Sequence, residues 1–190
     1  MAMQASTRTE QRCPPCLGGK ALLYEDPAFE HVPTTLVVRS PAFAPGGALP
    51  DRFTASGAGG SPPLSWRCVP PGAASIVLLV EGADSPASAP LVHVLVTGLP
   101  PTDAALDAGM LGDENGRTHL AGIGLNSLLQ RRWLPPAGAP AQGPQRCAFQ
   151  VFALDCVPAL GQIPARPALR AAMAGHMVAR GLLLASFEHP

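Results

Sequence analysis

Ser75-Ile76-Val77-Leu78-Leu79-Val80-Glu81 and, a few residues on, Leu91-Val92-His93-Val94-Leu95-Val96-Thr97 decide the fold. Both runs are rich in β-branched residues, and both carry apolar side chains at odd and even positions alike. A strand of that kind has no face to offer water, so it belongs inside a sandwich or under a helix. Arg146-Cys147-Ala148-Phe149-Gln150-Val151-Phe152-Ala153-Leu154 repeats the pattern as a third buried strand. Leu36-Val37-Val38 is a shorter β-branched run, and Leu182 to Phe187 closes the chain as a further strand. Pro45-Gly46-Gly47 is turn-forming, and Ser56 to Pro63 is a loop by composition. Residues 101 to 145 show no clear element. One segment, Pro167 to Ala179, reads as a good helix. Pro167 suits a first turn, and Leu169, Met173 and His176-Met177 recur at helical spacing.

Composition agrees. The 23 prolines and 20 glycines among 190 residues interrupt long helices too often for an α-fold. Hydrophobic residues at 47% are too many for a disordered chain. The class is therefore mainly β, with short strands and rigid turns. Thirteen basic residues balance thirteen acidic ones, and Lys20 is the only lysine. No basic stripe can be drawn, which argues against nucleic acid and against an anionic membrane surface. No run of apolar residues is long enough to span a bilayer. The first ten residues are polar and lack the apolar core of a signal peptide, so a cytoplasmic location is expected. The odd cysteine count fits that compartment.

Residues 1–34 lack periodicity and are assigned to a flexible N-terminal extension, with the domain at 35–190. Deleting residues 1–30 is expected to leave a folded protein. Cys13-Pro14-Pro15-Cys16 has redox or half-zinc-site spacing. A redox motif normally opens a helix in an α/β context, which is missing here. A zinc site needs two more ligands from Cys68, Cys147 or Cys156, two of which lie in or beside a buried strand. No metal site and no cofactor is assigned. No nucleophile-base pair, phosphate loop or carboxylate pair is visible, so no enzyme activity is expected.

Four segments in order carry a resemblance. They are Ser61-Pro62-Pro63-Leu64-Ser65-Trp66, Asp84-Ser85-Pro86 followed by His93, Gly143-Pro144-Gln145-Arg146 leading into Phe149 to Asp155, and Gly175-His176-Met177-Val178-Ala179. The chain resembles the bacterial branch of the phosphatidylethanolamine-binding protein family, the Raf-kinase-inhibitor-like proteins, from about Leu36 to Glu188. The resemblance implies an antiparallel β-sandwich of two sheets with a C-terminal helix. It also implies a pocket for phosphate-like anions or phospholipid head groups, formed here by Asp84, Pro86, His93, Gly143, Pro144, Gln145 and Cys147. The pocket motif is altered. Gly82 replaces a carboxylate, Gln145 a histidine, and Cys147 and Phe187 replace tyrosines. Losing charge and donors weakens an anion site, so phosphate is expected to bind only at about 1 mM or worse.

Bland readings stand beside these. A histidine on an apolar strand is often a satisfied core residue. Asp84 in its Ser/Pro/Ala loop could simply bond its own turn. His176 reads as packing or surface. Gln145 and Cys147 are two apart in one strand and so share a face. If the pocket is open, Cys147 is expected to react faster than Cys156; if neighbours fill it, Cys147 is inert. The expected function is non-enzymatic binding of a weak, small anionic or head-group-like ligand. The alternatives are a protein-interaction module of kinase- or protease-inhibitor type, and a thiol redox protein using Cys147 or Cys13/Cys16. Family relatives further imply a homodimer.

Overall fold

The computed structural model describes residues 21–84, 88–113, 115, 117–120, 122–138, 143–161 and 164–188. Seven strands are present among them: β1 Val37–Arg39, β2 Leu64–Arg67, β3 Ser75–Gly82, β4 Leu91–Leu99, β5 Ala104–Leu106, β6 Gln145–Leu154 and β7 Met177–Phe187. One helix, α1, runs over Arg166–Met173. The strands form a three-stranded sheet, β1-β2-β5, and a four-stranded sheet, β4-β3-β6-β7, with antiparallel pairing throughout. The expected sandwich is the observed one.

The larger sheet is covered on both faces, as its sequence requires. Side chains alternate. Ile76, Leu78 and Val80 join Phe149, Val151, Leu64 and Trp66 in the core between the sheets. Val77, Leu79, Phe152 and Leu154 face outward and are covered by Leu169 and Met173 of α1 and by Leu23, Phe29 and Val32.

The last three residues belong to the stretch that the sequence assigned to the extension. Residues 21–34 are instead part of the packed domain, with Leu22, Leu23, Phe29 and Val32 all buried. Two short 3-10 turns, Leu23–Glu25 and Pro27–Phe29, replace the periodicity that a strand or long helix would have shown. A row of polar side chains on the sheet's outer face holds this segment by its backbone. Leu23 N donates to Glu81 Oε2 at 2.9 Å, and Tyr24 N donates to Gln150 Oε1 at 2.7 Å. Arg180 donates to the carbonyls of Tyr24 and Glu30, and its guanidinium lies 4.6 Å from the Tyr24 ring centre. Arg166 closes the row by pairing with the fully buried Glu81, to which Gln150 Nε2 also donates at 2.8 Å. Residues 1–20, which hold Cys13-Pro14-Pro15-Cys16, lie outside the described residues.

Two further boundaries differ. α1 ends at Met173, not Ala179, because Gly175 turns the chain at φ +80° and Met177 already pairs with Leu154 in β7. The stretch from 101 to 145 holds β5, and Ile123 makes a bridge to Val96.

Candidate functional site

The site begins with a fault in strand register. Val80 pairs with Val94, but Glu81 pairs with Val92. His93 is the extra residue of that bulge, and a bulge re-aims a side chain. Its imidazole turns toward Gly82, where a Cβ would stand 3.0 Å from His93 Nε2. Gly82 pairs with Cys147 on the other side. Gln145 and Cys147 fall on one face of β6, opposite Phe187 and Ala185 of the inter-sheet core, as their spacing predicts. Thus Gly82, His93, Gln145 and Cys147 meet at one end of the larger sheet.

His93 is 1% exposed. Its Nδ1 lies 2.8 Å from the Leu134 carbonyl oxygen. A carbonyl only accepts, so Nδ1 carries the proton and Nε2 offers a lone pair. Burial is the main cause that pushes the imidazole down from 6.5 to about 4, against the bond to Leu134. At neutral pH it is uncharged. Nε2 has no hydrogen-bond partner, and neither does the buried indole Nε1 of Trp133. The two rings are neighbours, 5.8 Å apart between centres. Each of these two neighbouring rings therefore holds one unsatisfied buried nitrogen, an acceptor on His93 and a donor on Trp133, at a cost of about 1–3 kcal/mol each.

Trp133 also stacks on Phe149 at 6.4 Å, and Phe149 meets Phe43 at 5.6 Å. These rings and Cys147 belong to the same buried core between the sheets. Cys147 is fully buried, and burial pushes its thiol up. The expectation of an open pocket reaching Cys147 is corrected: the apolar neighbours close it, and Cys147 is an inert core residue. The redox reading of Cys147 falls with it, since the thiolate is the reactive form.

Asp84 does not face the histidine. Its carboxylate accepts from Arg146 N at 2.7 Å, Nε at 2.9 Å and Nη2 at 2.6 Å. The Arg146 guanidinium holds the Asp84 carboxyl below the usual range. Asp84 so neutralises Arg146 at the entry to β6. Gly143 makes a left-handed turn at φ +66° just before that strand, and Pro144 is exposed. Pro86 lies outside the described residues.

A cleft of ≈ 310 Å³ opens on the solvent side of this group. Its wall includes Trp133, Leu134 and Pro135 together with Gly59, Asp113 and Arg132. Trp133 and Leu134 are the two residues of that wall that touch His93. Sequence reasoning did not single out Trp133; the only signal was an indole beside Pro135-Pro136 in a stretch without periodicity.

The fold defines an antiparallel two-sheet β-sandwich with a buried histidine at one end of the larger sheet. The profile described as phosphatidylethanolamine-binding protein matches residues 39–188, and the chain belongs to that family. The UPF0098 protein Mb1945c of Mycobacterium bovis is 36% identical over 155 residues, which is 80% of this chain and 70% of the relative. The phosphatidylethanolamine-binding protein homolog CT736 of Chlamydia trachomatis superposes with a TM-score of 0.71 at 31% identity, over 82% of this chain and 98% of that one. YbcL of E. coli superposes with a TM-score of 0.69 at 21% identity, over 82% and 99%, and shows the shared fold.

Proposed function

We propose that this chain is a non-enzymatic binding protein whose pocket has turned from anions toward small neutral molecules that both donate and accept a hydrogen bond. The observation that carries this reading is that the neutral, buried His93 ring leaves Nε2 unpaired and that the ring 5.8 Å from it, Trp133, leaves its Nε1–H unpaired. The charged oxygens of an anion only accept, so they pair with an N–H but are repelled by the His93 lone pair, and among the described residues no cationic side chain beside His93 compensates their charge. A primary amide or an alcohol brings both, and recovers both unsatisfied groups. Gly82 supplies no carboxylate to charge the histidine, and the nearby guanidinium of Arg146 is held by Asp84. The cleft lined by Trp133 and Leu134 is the route of entry, and because His93 is 1% exposed and does not line it, binding requires those two residues to move aside.

Acetamide and phosphoethanolamine are the discriminating probes. In an NMR titration, acetamide shifts the Trp133 indole N–H signal, and Trp133→Phe loses that binding. Phosphoethanolamine binds at about 1 mM or worse. Micromolar phosphoethanolamine affinity would contradict the reading.

A second reading, contact with a protein surface, has one specific observation in its favour. Leu128 and Leu129 are 56% and 76% exposed on a turn pinned by the buried Asn126. Leu129 there holds φ +58°, an unusual backbone for a leucine. If this turn joins two copies, Leu129→Ser lowers the sedimentation coefficient to that of a monomer. No helix among the described residues is long and apolar enough to cross a membrane. A cytoplasmic location rests on the free thiols of Cys68, Cys147 and Cys156, and fractionation tests it.

A further inference from the structure

Away from the pocket, the opposite end of the β6–β7 ladder gathers three side chains of metal-ligating type. Asp155 and Cys156 follow β6 directly, and His176 immediately precedes β7. Pairing of Leu154 with Met177 brings the two chain segments together, although they lie far apart in sequence. The ligating atoms of Asp155, Cys156 and His176 all lie within 4.8 Å of one another, the one such group among the described residues. His176 Nδ1 is 2.8 Å from Asp155 Oδ1.

The backbone under all three is fixed. Asp155 N donates to His176 O at 3.0 Å, and His176 N donates to Met173 O at 3.1 Å. Ser75 Oγ donates to Cys156 O at 2.5 Å, tying the site to β3. Gly175, with φ +80°, makes the turn that delivers His176 to this corner. The Asp155 and His176 side chains are about half exposed, so an ion can reach them from solvent.

We propose that Asp155, Cys156 and His176 bind a divalent transition-metal ion, with Zn²⁺ the best match. A thiolate, an imidazole and a carboxylate form a mixed soft and borderline donor set that suits Zn²⁺ and disfavours Mg²⁺ or Ca²⁺, which want oxygen alone. Donors bonded at about 2.0–2.3 Å to one ion stand closer than the observed limit, so the side chains draw inward by rotamer changes while the backbone stays. Three protein ligands leave the fourth tetrahedral position to water or to a further donor. Binding replaces the thiol proton of Cys156, which passes to solvent, so affinity rises with pH. The site lies at the other end of the β6–β7 ladder from His93.

Co²⁺ and Zn²⁺ titrations of the full-length chain under reducing conditions test it. Co²⁺ is expected to give the intense d–d bands of a tetrahedral site together with a sulfur-to-cobalt charge-transfer band, and Zn²⁺ to displace it. Cys156→Ala and His176→Ala lose these signals, and Cys13→Ser/Cys16→Ser keeps them. Zn²⁺ raises the melting temperature of the parent protein and not of His176→Ala, because the ligands converge only in the folded chain. Circular dichroism verifies that the variants fold. Signals that survive Cys156→Ala, that vanish with Cys13→Ser/Cys16→Ser, or that never appear in the parent protein would overturn the proposal.

Discussion

Gly82 governs the pocket at the level of single residues. With no side chain there, His93 Nε2 approaches the strand and is left without a carboxylate neighbour. The neutral histidine has a consequence for stability. Its folded value is about 4 and its unfolded value 6.5. Between those limits the unfolded chain binds more protons, so stability is full above 6.5 and falls as pH drops toward 4. The loss amounts to about 3 kcal/mol. Urea unfolding across that window is expected to show this slope, and His93→Gln to remove it. Asp84 acts lower down. Its folded value is depressed, so its contribution is present above 3.8 and is lost only as pH falls below that. A second variant probes the same pair. Gly82→Asp places a carboxylate beside Nε2 and favours the imidazolium, so NMR titration is expected to find His93 well above its parent value. An unchanged His93 would mean that the added side chain points elsewhere. Cysteine labelling belongs at this scale too. Cys68 is exposed and Cys156 partly so, whereas Cys147 is buried with its thiol pushed up. Iodoacetamide on the native protein is expected to modify Cys68 and Cys156 long before Cys147.

Among the elements, the N-terminal segment carries the largest consequence. Leu23, Phe29 and Val32 are each buried, and each contributes about 1.5–3 kcal/mol. Their sum approaches the whole net stability of a typical domain, about 5–15 kcal/mol. A chain beginning at residue 34 is expected to melt far below one beginning at residue 21, with calorimetry as the check. Glu81→Ala tests the polar row beneath the segment. It strands the Arg166 guanidinium and the Leu23 N–H, and costs about 3 kcal/mol in urea unfolding. Neither effect was legible in the sequence. The segment is held by long-range bonds from Glu81, Gln150 and Arg180, and its two 3-10 turns leave no periodic trace. The buried strands were legible, because Ile76 to Val80 and Phe149 to Leu154 are apolar at both parities. So was the shared face of Gln145 and Cys147, because parity survives within one strand. The bulge at His93 was not, since it exists only in the pairing of β4 with β3. The end of α1 was misplaced for a related reason. Met173 and Met177 keep helical spacing, but Gly175 lies between them and starts a new strand.

At the scale of the whole molecule, two sheets, one helix and the segment from residue 21 to 34 enclose His93 and Cys147 in a core with no opening to solvent at either residue. The scaffold was readable because its motifs follow one another along the chain. The pocket's closure was not, because Trp133 reaches it from a stretch with no regular element. The proposed function stands or falls on whether His93 stays neutral and meets donors, not anions. The most direct measurement is ¹⁵N NMR of the His93 ring during titration with phosphoethanolamine and, separately, acetamide. The expected result is an Nδ1–H tautomer that persists at neutral pH, an Nε2 signal unmoved by phosphoethanolamine below about 1 mM, and a shift of that signal with acetamide. Protonation of His93 on binding micromolar phosphoethanolamine would contradict it.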